Sequence, residues 1–283
     1  MIALDQLVKR IQQVPPLPDV VLRVLELSED PECSVKDLVE VVQLDQGITL
    51  RVLRLCNSAY FGIPREISTL REALVFLGNN TLVNFILTSY AADFFRGASR
   101  GYGLDEGQIW KHAVATAVGA DIIGKRVIQG DRGLLFTGAL LHDVGKVILS
   151  EHVESELGRI AMMVEEENCP FTEAEKAILG YTHAEVGAQL AAAWNLPPVL
   201  VNSILYHHEP SRAREHQDEV SAVHVANAVS LSMGYGLGKD GLQVPLDQGA
   251  LQRFDLETDD LIAIAAQVHA ALNTAVDLIK IRN

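Results

Sequence analysis

The stretch Gly138-Ala139-Leu140-Leu141-His142-Asp143-Val144-Gly145-Lys146 carries two signals at once. Its apolar residues have the look of a buried helical run, and a histidine and an aspartate stand side by side inside it. Polar groups in so apolar a setting need partners if they are buried. Working outward, almost every other segment also reads at helical period. Val20, Val21, Val24, Leu25 and Leu27 form one stripe, and Leu38, Val41, Val42 and Leu44 form another. Ser34-x-x-Asp37, Thr172-x-x-Glu175 and Thr182-x-x-Glu185 have the form of N-caps with an acid one turn in. Pro31, Pro64 and the pair Pro197-Pro198 interrupt the helices. Alternating β patterns are scarce, and Glu66-Ile67-Ser68-Thr69 is too brief to found a sheet. The expectation is an all-α, multi-helix fold with short connections.

Composition agrees with a packed core. Of 283 residues, 48% are hydrophobic and 21% charged, enough apolar material to offset the entropy of ordering and to exclude global disorder. Lys and Arg number 23 against 37 Asp and Glu, a formal charge of −14. So acidic a body repels nucleic acid and anionic lipid, and binding to either is not expected. The apolar stretch Leu261 to Leu272 is too short for a membrane span and carries Gln267 and His269. The opening Met1-Ile2-Ala3-Leu4-Asp5-Gln6 lacks the basic and apolar regions of a secretory signal. Cys33, Cys56 and Cys169 have neither disulfide nor metal spacing and read as buried thiols of a reducing cytoplasm.

Two shifts in composition suggest boundaries. Residues 96–107 are rich in Gly and polar residues, and residues 234–249 hold five Gly and one Pro. The expected organisation is a helical subdomain over 1–95, a histidine-bearing helical domain over 96–233, and an irregular segment with a C-terminal helix (258–281) over 234–283.

The candidate chemistry lies in the histidines. His112 follows Trp110 and Lys111 in a helical pattern, His142 and Asp143 are adjacent, His183 opens a capped helix, and His207-His208 close the helix that begins after Pro198. Neutral imidazoles with a carboxylate are common ligands for divalent metals with open positions. Adjacent side chains on a helix point about 100° apart, so one of the His142-Asp143 pair can bind a metal while the other bridges to a second. Helical proteins build such centres by donating one or two inward ligands from each of several helices. Lys146, one turn from His142, is placed to neutralise charge developing on a phosphate attacked by metal-bound water. His152, His216, His224 and His269 have no such setting. Arg51, Arg54, Arg65 and Arg71 form a local basic cluster, most simply a solvated helical face, the alternative being a docking site for an acidic partner.

Leu141-His142-Asp143-Val144-Gly145-Lys146 resembles the core motif of the HD superfamily of metal-dependent phosphohydrolases. Further segments, Val14-Pro15-Pro16-Leu17-Pro18, Leu44-Asp45-Gln46, Arg51 to Phe61 (with Asn57-Ser58-Ala59-Tyr60) and Ala73-Leu74-Val75-Phe76-Leu77-Gly78, resemble the HDOD (HD-related output domain) family over residues 8–230. The resemblance implies an N-terminal helical bundle packed on an HD-like helical domain, in a bacterial signalling module that is generally non-enzymatic and acts through protein partners. Read without a family, the paired prolines most simply rigidify the start of a helix, and Asn57-Ser58 caps or ends one.

This chain departs from the family by keeping ligands. His112, His142, Asp143, His183, His207 and His208 resemble the two-metal pattern of HD-GYP phosphodiesterases, with Gly187 four residues after His183 and Glu209 after the histidine pair. Pro210-Ser211-Arg212-Ala213 replaces the Gly-Tyr-Pro element, and Asn227 stands where the late aspartate of the HD site falls. The expectations are a cytoplasmic, non-catalytic signalling module with one or two divalent transition metals, iron or manganese, and signalling proteins as partners; the oligomeric state stays open, with an apolar C-terminal helix that could contribute a homodimer interface. The alternative is a metal-dependent phosphohydrolase acting on a nucleotide or cyclic nucleotide, with Asp143 and Lys146 in catalytic roles.

Overall fold

A computed structural model describes residues 11, 14, 16–28, 30, 32–57, 63, 65–95, 100–128, 134–238 and 245–274 of the chain. Among the described residues the fold is helical throughout, with no β-strand. Pro15, Pro31, Pro64, Ser58 to Phe61, residues 96–99 and 239–244, and the last seven residues of the expected C-terminal helix lie outside them. No described helix is long and apolar enough to cross a membrane. The chain divides into two compact units, residues 16–93 with 269–283, and residues 1–15 with 94–268.

In the first of these units the helices are α1 (Asp19–Ser28), α2 (Val35–Val42), α3 (Gln46–Cys56) and α4 (Leu70–Phe94). The stripes read from the sequence bury Val21, Val24, Leu25, Leu38 and Val42, whereas Leu44, just past the end of α2, is 77% exposed. Ser34 caps α2 in a complete capping box with Asp37. Asn57 ends α3 and does more than cap it. Its amide nitrogen donates to Leu53 O (2.9 Å) and Ile67 O (2.8 Å), and its Oδ1 accepts from the Ile67 N–H (2.7 Å). A side chain thus supplies both hydrogen bonds that a neighbouring strand would give to the buried Ile67, which is why this short β-branched run needs no sheet. α4 breaks at Gly78, whose φ of +76° and ψ of 167° suit only glycine. Of the arginine cluster, Arg65 pairs with Glu72 (2.9 Å) at the surface.

The second unit contains a short 3₁₀ turn (Arg100–Tyr102), α5 (Gln108–Val127), α6 (Leu135–Leu141), α7 (Val144–Glu167), α8 (Phe171–Leu179), α9 (His183–Ala193), α10 (Pro198–Tyr206), a 3₁₀ turn (Pro210–Arg212), α11 (Gln217–Ser232), α12 (Gln248–Arg253) and α13 (Thr258–Thr274), whose residues to Val268 belong here. Nearly every face of α5 is buried, from Ile109 through Ala120. Its Ala and Gly residues let it lie close along α11, where a Cβ on Gly119 would stand 3.2 Å from the Ala226 Cβ. Thr182 caps α9 in a complete capping box with Glu185, as the sequence predicts.

Thr172 caps nothing. α8 begins one residue earlier, after Pro170, without a side-chain cap, and Glu175 turns inward instead. Cys56 and Cys169 are buried free thiols, and Cys33 is only half-buried, short of the expected burial.

Candidate metal centre

His142 and Asp143 do not share one continuous helix. His142 ends α6, and Asp143, at φ −100° and ψ 12°, precedes α7. His142 Nε2 and Asp143 Oδ2 nevertheless converge to 3.3 Å.

Three other elements bring four further imidazoles to the same site. His112, early in α5, brings Nε2 to 3.5 Å from Asp143 Oδ2. His183, the first residue of α9, and His207, just past α10, bring their Nε2 atoms to 3.4 and 3.6 Å from Asp143 Oδ1. His208 Nε2 lies 3.0 Å from His183 Nε2. All six predicted ligands therefore meet around one aspartate. They fall into two groups, His112, His142 and Asp143 on one side and Asp143, His183, His207 and His208 on the other. Lys146 lies in the first turn of α7, buried, with Nζ 2.6 Å from Asp143 Oδ2.

Tautomers follow from the outer partners. His112 Nδ1 faces Tyr235 O (3.1 Å), His142 Nδ1 faces Ala139 O (2.6 Å) and His207 Nδ1 faces Ile204 O (2.7 Å). His183 Nδ1 faces Glu175 Oε2 (2.9 Å). Carbonyl and carboxylate oxygens only accept, so each Nδ1 carries a hydrogen, and a ring without a second proton turns a bare Nε2 lone pair inward.

Burial pushes His112 down to about 3, against the smaller opposing pull of Asp143. Burial likewise holds His207 and His208 well below the usual imidazole range, reinforced by neighbouring rings. Burial opposes ionisation of Asp143, but His142 and Lys146 outweigh it and hold the carboxyl well below the usual range.

This leaves acceptors facing acceptors. His112 Nε2 and His142 Nε2 are 3.2 Å apart, and with both Nδ1 hydrogens committed elsewhere two neutral rings have no proton to share between them. Asp143 Oδ1 and His207 Nε2 are buried without a hydrogen-bond partner. Such groups cost of order 1–3 kcal/mol each unless something electron-poor satisfies them. Two ligand atoms on one ion at bond lengths of about 2.0–2.2 Å stand about 2.8–3.6 Å from each other. The observed separations of 3.0–3.6 Å fall in that range. The residues present fit one or two divalent metal ions, and each anchored imidazole has the outer hydrogen bond that metal-binding histidines characteristically have.

Several participants were not foreseen. Glu175 and Tyr102 form an outer layer behind His183, Tyr102 Oη donating to Glu175 Oε1 at 2.5 Å. The Gly-rich segment after α11 supplies the Tyr235 carbonyl, and Gly236 packs so tightly on His112 that a Cβ there would lie 2.6 Å from the His112 Cβ. His224, set aside in the sequence, is buried. Its Nδ1–H donates to His207 O (2.7 Å) and its Nε2 accepts from the Asp247 N–H (2.9 Å), a structural tie. Asn227 is buried in α11 with its Oδ1 unpartnered. His216 precedes α11 at a φ of +56°, and the side chain of His152 lies outside the described ones. Beside the centre, a cleft of about 720 Å³ reaches His183 and His208, with Phe171 and Tyr206 in its wall and Lys176 and Arg212 also lining it.

A His-Asp pair at a helix junction, with further histidines converging from three other helices, defines a helical protein of the HD type. The HDOD domain profile matches residues 14–210, and the chain belongs to the HDOD family. It is 26% identical to an HDOD domain protein of unknown function from Geobacter sulfurreducens, whose crystal structure superposes with a TM-score of 0.74 over 98% of this chain and 97% of that one. Crystal structures of a candidate phosphohydrolase from Shewanella amazonensis SB2B (23% identity, 98% of both chains, TM-score 0.73) and a candidate signal transduction protein from Marinobacter aquaeolei VT8 (19%, 98% of this chain and 65% of that one, TM-score 0.77) share the fold. An uncharacterised protein of Treponema pallidum (strain Nichols) is 28% identical over 222 residues, 77% of this chain. The chain spans 42% of the length of that relative.

Proposed function

We propose that this chain is a metal-binding signalling module of the HDOD type, cytoplasmic, acting through protein partners. The observation that carries the metal reading is the convergence of bare Nε2 atoms on Asp143 while their Nδ1 hydrogens are anchored outside. His112, His142, Asp143, His183, His207 and His208 would hold one or two divalent ions. A histidine-rich set with one carboxylate suits iron or manganese. Asn227 and the missing Gly-Tyr-Pro element favour a regulatory over a hydrolytic role.

The test is elemental analysis of protein purified without added metal, beside His142→Ala. One or two equivalents of transition metal, lost in the variant, support the reading. No uptake even after anaerobic addition of iron and manganese defeats it.

The cleft favours a second reading, phosphoester hydrolysis on a nucleotide or cyclic nucleotide. A metal would there polarise the phosphoryl group and lower the pKa of water. Lys146 would place positive charge beside Asp143, and Lys176 and Arg212, paired in the cleft with Glu185 (2.6 Å) and Glu209 (2.7 Å), would exchange those partners for an anionic substrate. Metal-dependent turnover of a panel of nucleotides and cyclic nucleotides, lost in His142→Ala, would establish this reading over the regulatory one.

A further inference from the structure

We infer that Glu175 and Tyr102 are positioning residues that set the metal affinity of the His183, His207 and His208 side of the centre. The inference rests on the metal reading above.

Glu175 is fully buried and is gripped at both oxygens. Oε2 accepts from His183 twice, from Nδ1–H and from the backbone N–H, each at 2.9 Å. Oε1 accepts from the Tyr102 hydroxyl at 2.5 Å. A carboxylate bound this way cannot swing, so the His183 ring is fixed in both tautomer and direction, its Nε2 held 3.4 Å from Asp143 Oδ1.

Tyr102 is held equally firmly. It is fully buried, and its ring packs on Phe171 (5.8 Å between centroids) and meets the His183 ring edge-on (6.0 Å). The turn that carries it lies flush on α7, because a Cβ on Gly101 would overlap the Ser150 carbonyl oxygen. Lys146 Nζ sits 5.7 Å from the centre of the same ring.

The two sides of the centre differ in this outer layer. His112, His142 and His207 donate to backbone carbonyls, whereas His183 donates to a carboxylate. Burying a carboxylate is a costly way to tie down a helix start. Its particular effect is on the imidazole: a negative partner on Nδ1 makes Nε2 the stronger donor toward a cation, and losing such a partner typically costs 10–100-fold in metal affinity.

The experiment titrates metal-free protein with Co(II), reading affinity and visible absorption. Glu175→Ala, Glu175→Gln and Tyr102→Phe are each made in a His112→Ala background, which leaves the His183 side intact, and in a His208→Ala background, which impairs it. In the first background Glu175→Ala is expected to weaken Co(II) binding about 10- to 100-fold. Glu175→Gln, which keeps an acceptor, loses less, and Tyr102→Phe loses least. In the second background affinity and spectrum stay within about twofold of the parent, a side-selectivity that a general loss of packing would not give. Glu175→Gln is nearly isosteric and keeps the test open if the alanine variant does not fold. Variants matching their parents in both backgrounds, or losing equally in both, overturn the inference. A wild-type protein that takes up no Co(II) overturns the metal reading, and this one with it.

Discussion

Gly145 and Gly187 meet backbone to backbone where α7 crosses α9. A Cβ on Gly187 would lie 3.1 Å from the Gly145 nitrogen, and one on Gly145 would lie 2.7 Å from the Gly187 nitrogen and overlap the carbonyl oxygen of His183. This crossing brings Asp143, two residues before Gly145, up to His183 and requires that neither position carry a side chain. Gly145→Ala is therefore expected to destabilise by at least about 3 kcal/mol, since backbone rather than a flexible side chain must yield. Gly158→Ala, on the same helix with nothing within 4 Å of its added carbon, should stabilise by about 0.5–1 kcal/mol. Urea denaturation of the two variants checks the contrast, and equal midpoints would refute it.

Acid should weaken the metal-free fold well before its carboxylates titrate. Burial pushes His112 down to about 3 and also lowers His207, His208 and His224 from the ordinary value of 6.5. Below about pH 6.5 the unfolded chain takes up protons on these rings while the folded chain does not, so stability falls as pH falls. Each such histidine contributes a slope of about 1.4 kcal/mol per pH unit, persisting for His112 to about pH 3. Asp143 acts with the same sign but in a lower window, because its depressed folded value matters only below about pH 4. The urea midpoint of metal-free protein is expected to fall steadily from pH 7 to 5 and to stay level from 7 to 8. A level profile through pH 5 would show that the rings take up protons in place.

Metal should stabilise the fold by mass action, because the six donors meet only when four separate stretches of chain are assembled. Mn(II) at 100 times its dissociation constant is expected to add about 2.7 kcal/mol. The gain should vanish in Asp143→Asn, the residue common to both ligand groups. Thermal unfolding with and without Mn(II) gives the comparison.

The parts of this centre legible in the sequence are those defined by local pattern. His142-Asp143 in an apolar run, His183 behind the Thr182–Glu185 cap and the histidine pair after α10 each show their setting within a few residues. The outer layer depends on distant contacts and so leaves no local trace. Tyr102 reaches Glu175 across 73 positions and His112 reaches Tyr235 across 123. Glu175 lies three residues after a threonine, a spacing that looks like a capping box, and only the position of His183 shows why it turns inward. The two Gly-rich stretches that read as boundaries, 96–107 and 234–249, include the turns that supply Tyr102 and Tyr235. Their glycines are there for close approach at Gly101 and Gly236 as well as for chain reversal.

Asn57 offers a test of the same lesson in the other unit. Read locally it ends a helix, but in the fold it occupies both backbone groups of Ile67, which is 1% exposed. Asn57→Ala would leave that N–H and C=O unpaired at about 1–3 kcal/mol each, so a loss of about 2–5 kcal/mol is expected. Asn57→Asp keeps an acceptor for the Ile67 N–H but sets a carboxylate oxygen against two carbonyls, Leu53 O and Ile67 O, and should recover little of it. A mere helix stop would behave differently: replacing it by either Ala or Asp would cost no more than about 1 kcal/mol, with no advantage for Asp beside the negative end of the helix dipole. All six metal-ligand candidates belong to the other unit, so metal content in folded Asn57→Ala is expected to match wild type. Urea midpoints of the two variants, with elemental analysis of the alanine variant, decide between a cap and a cross-link between α3 and the segment that precedes α4.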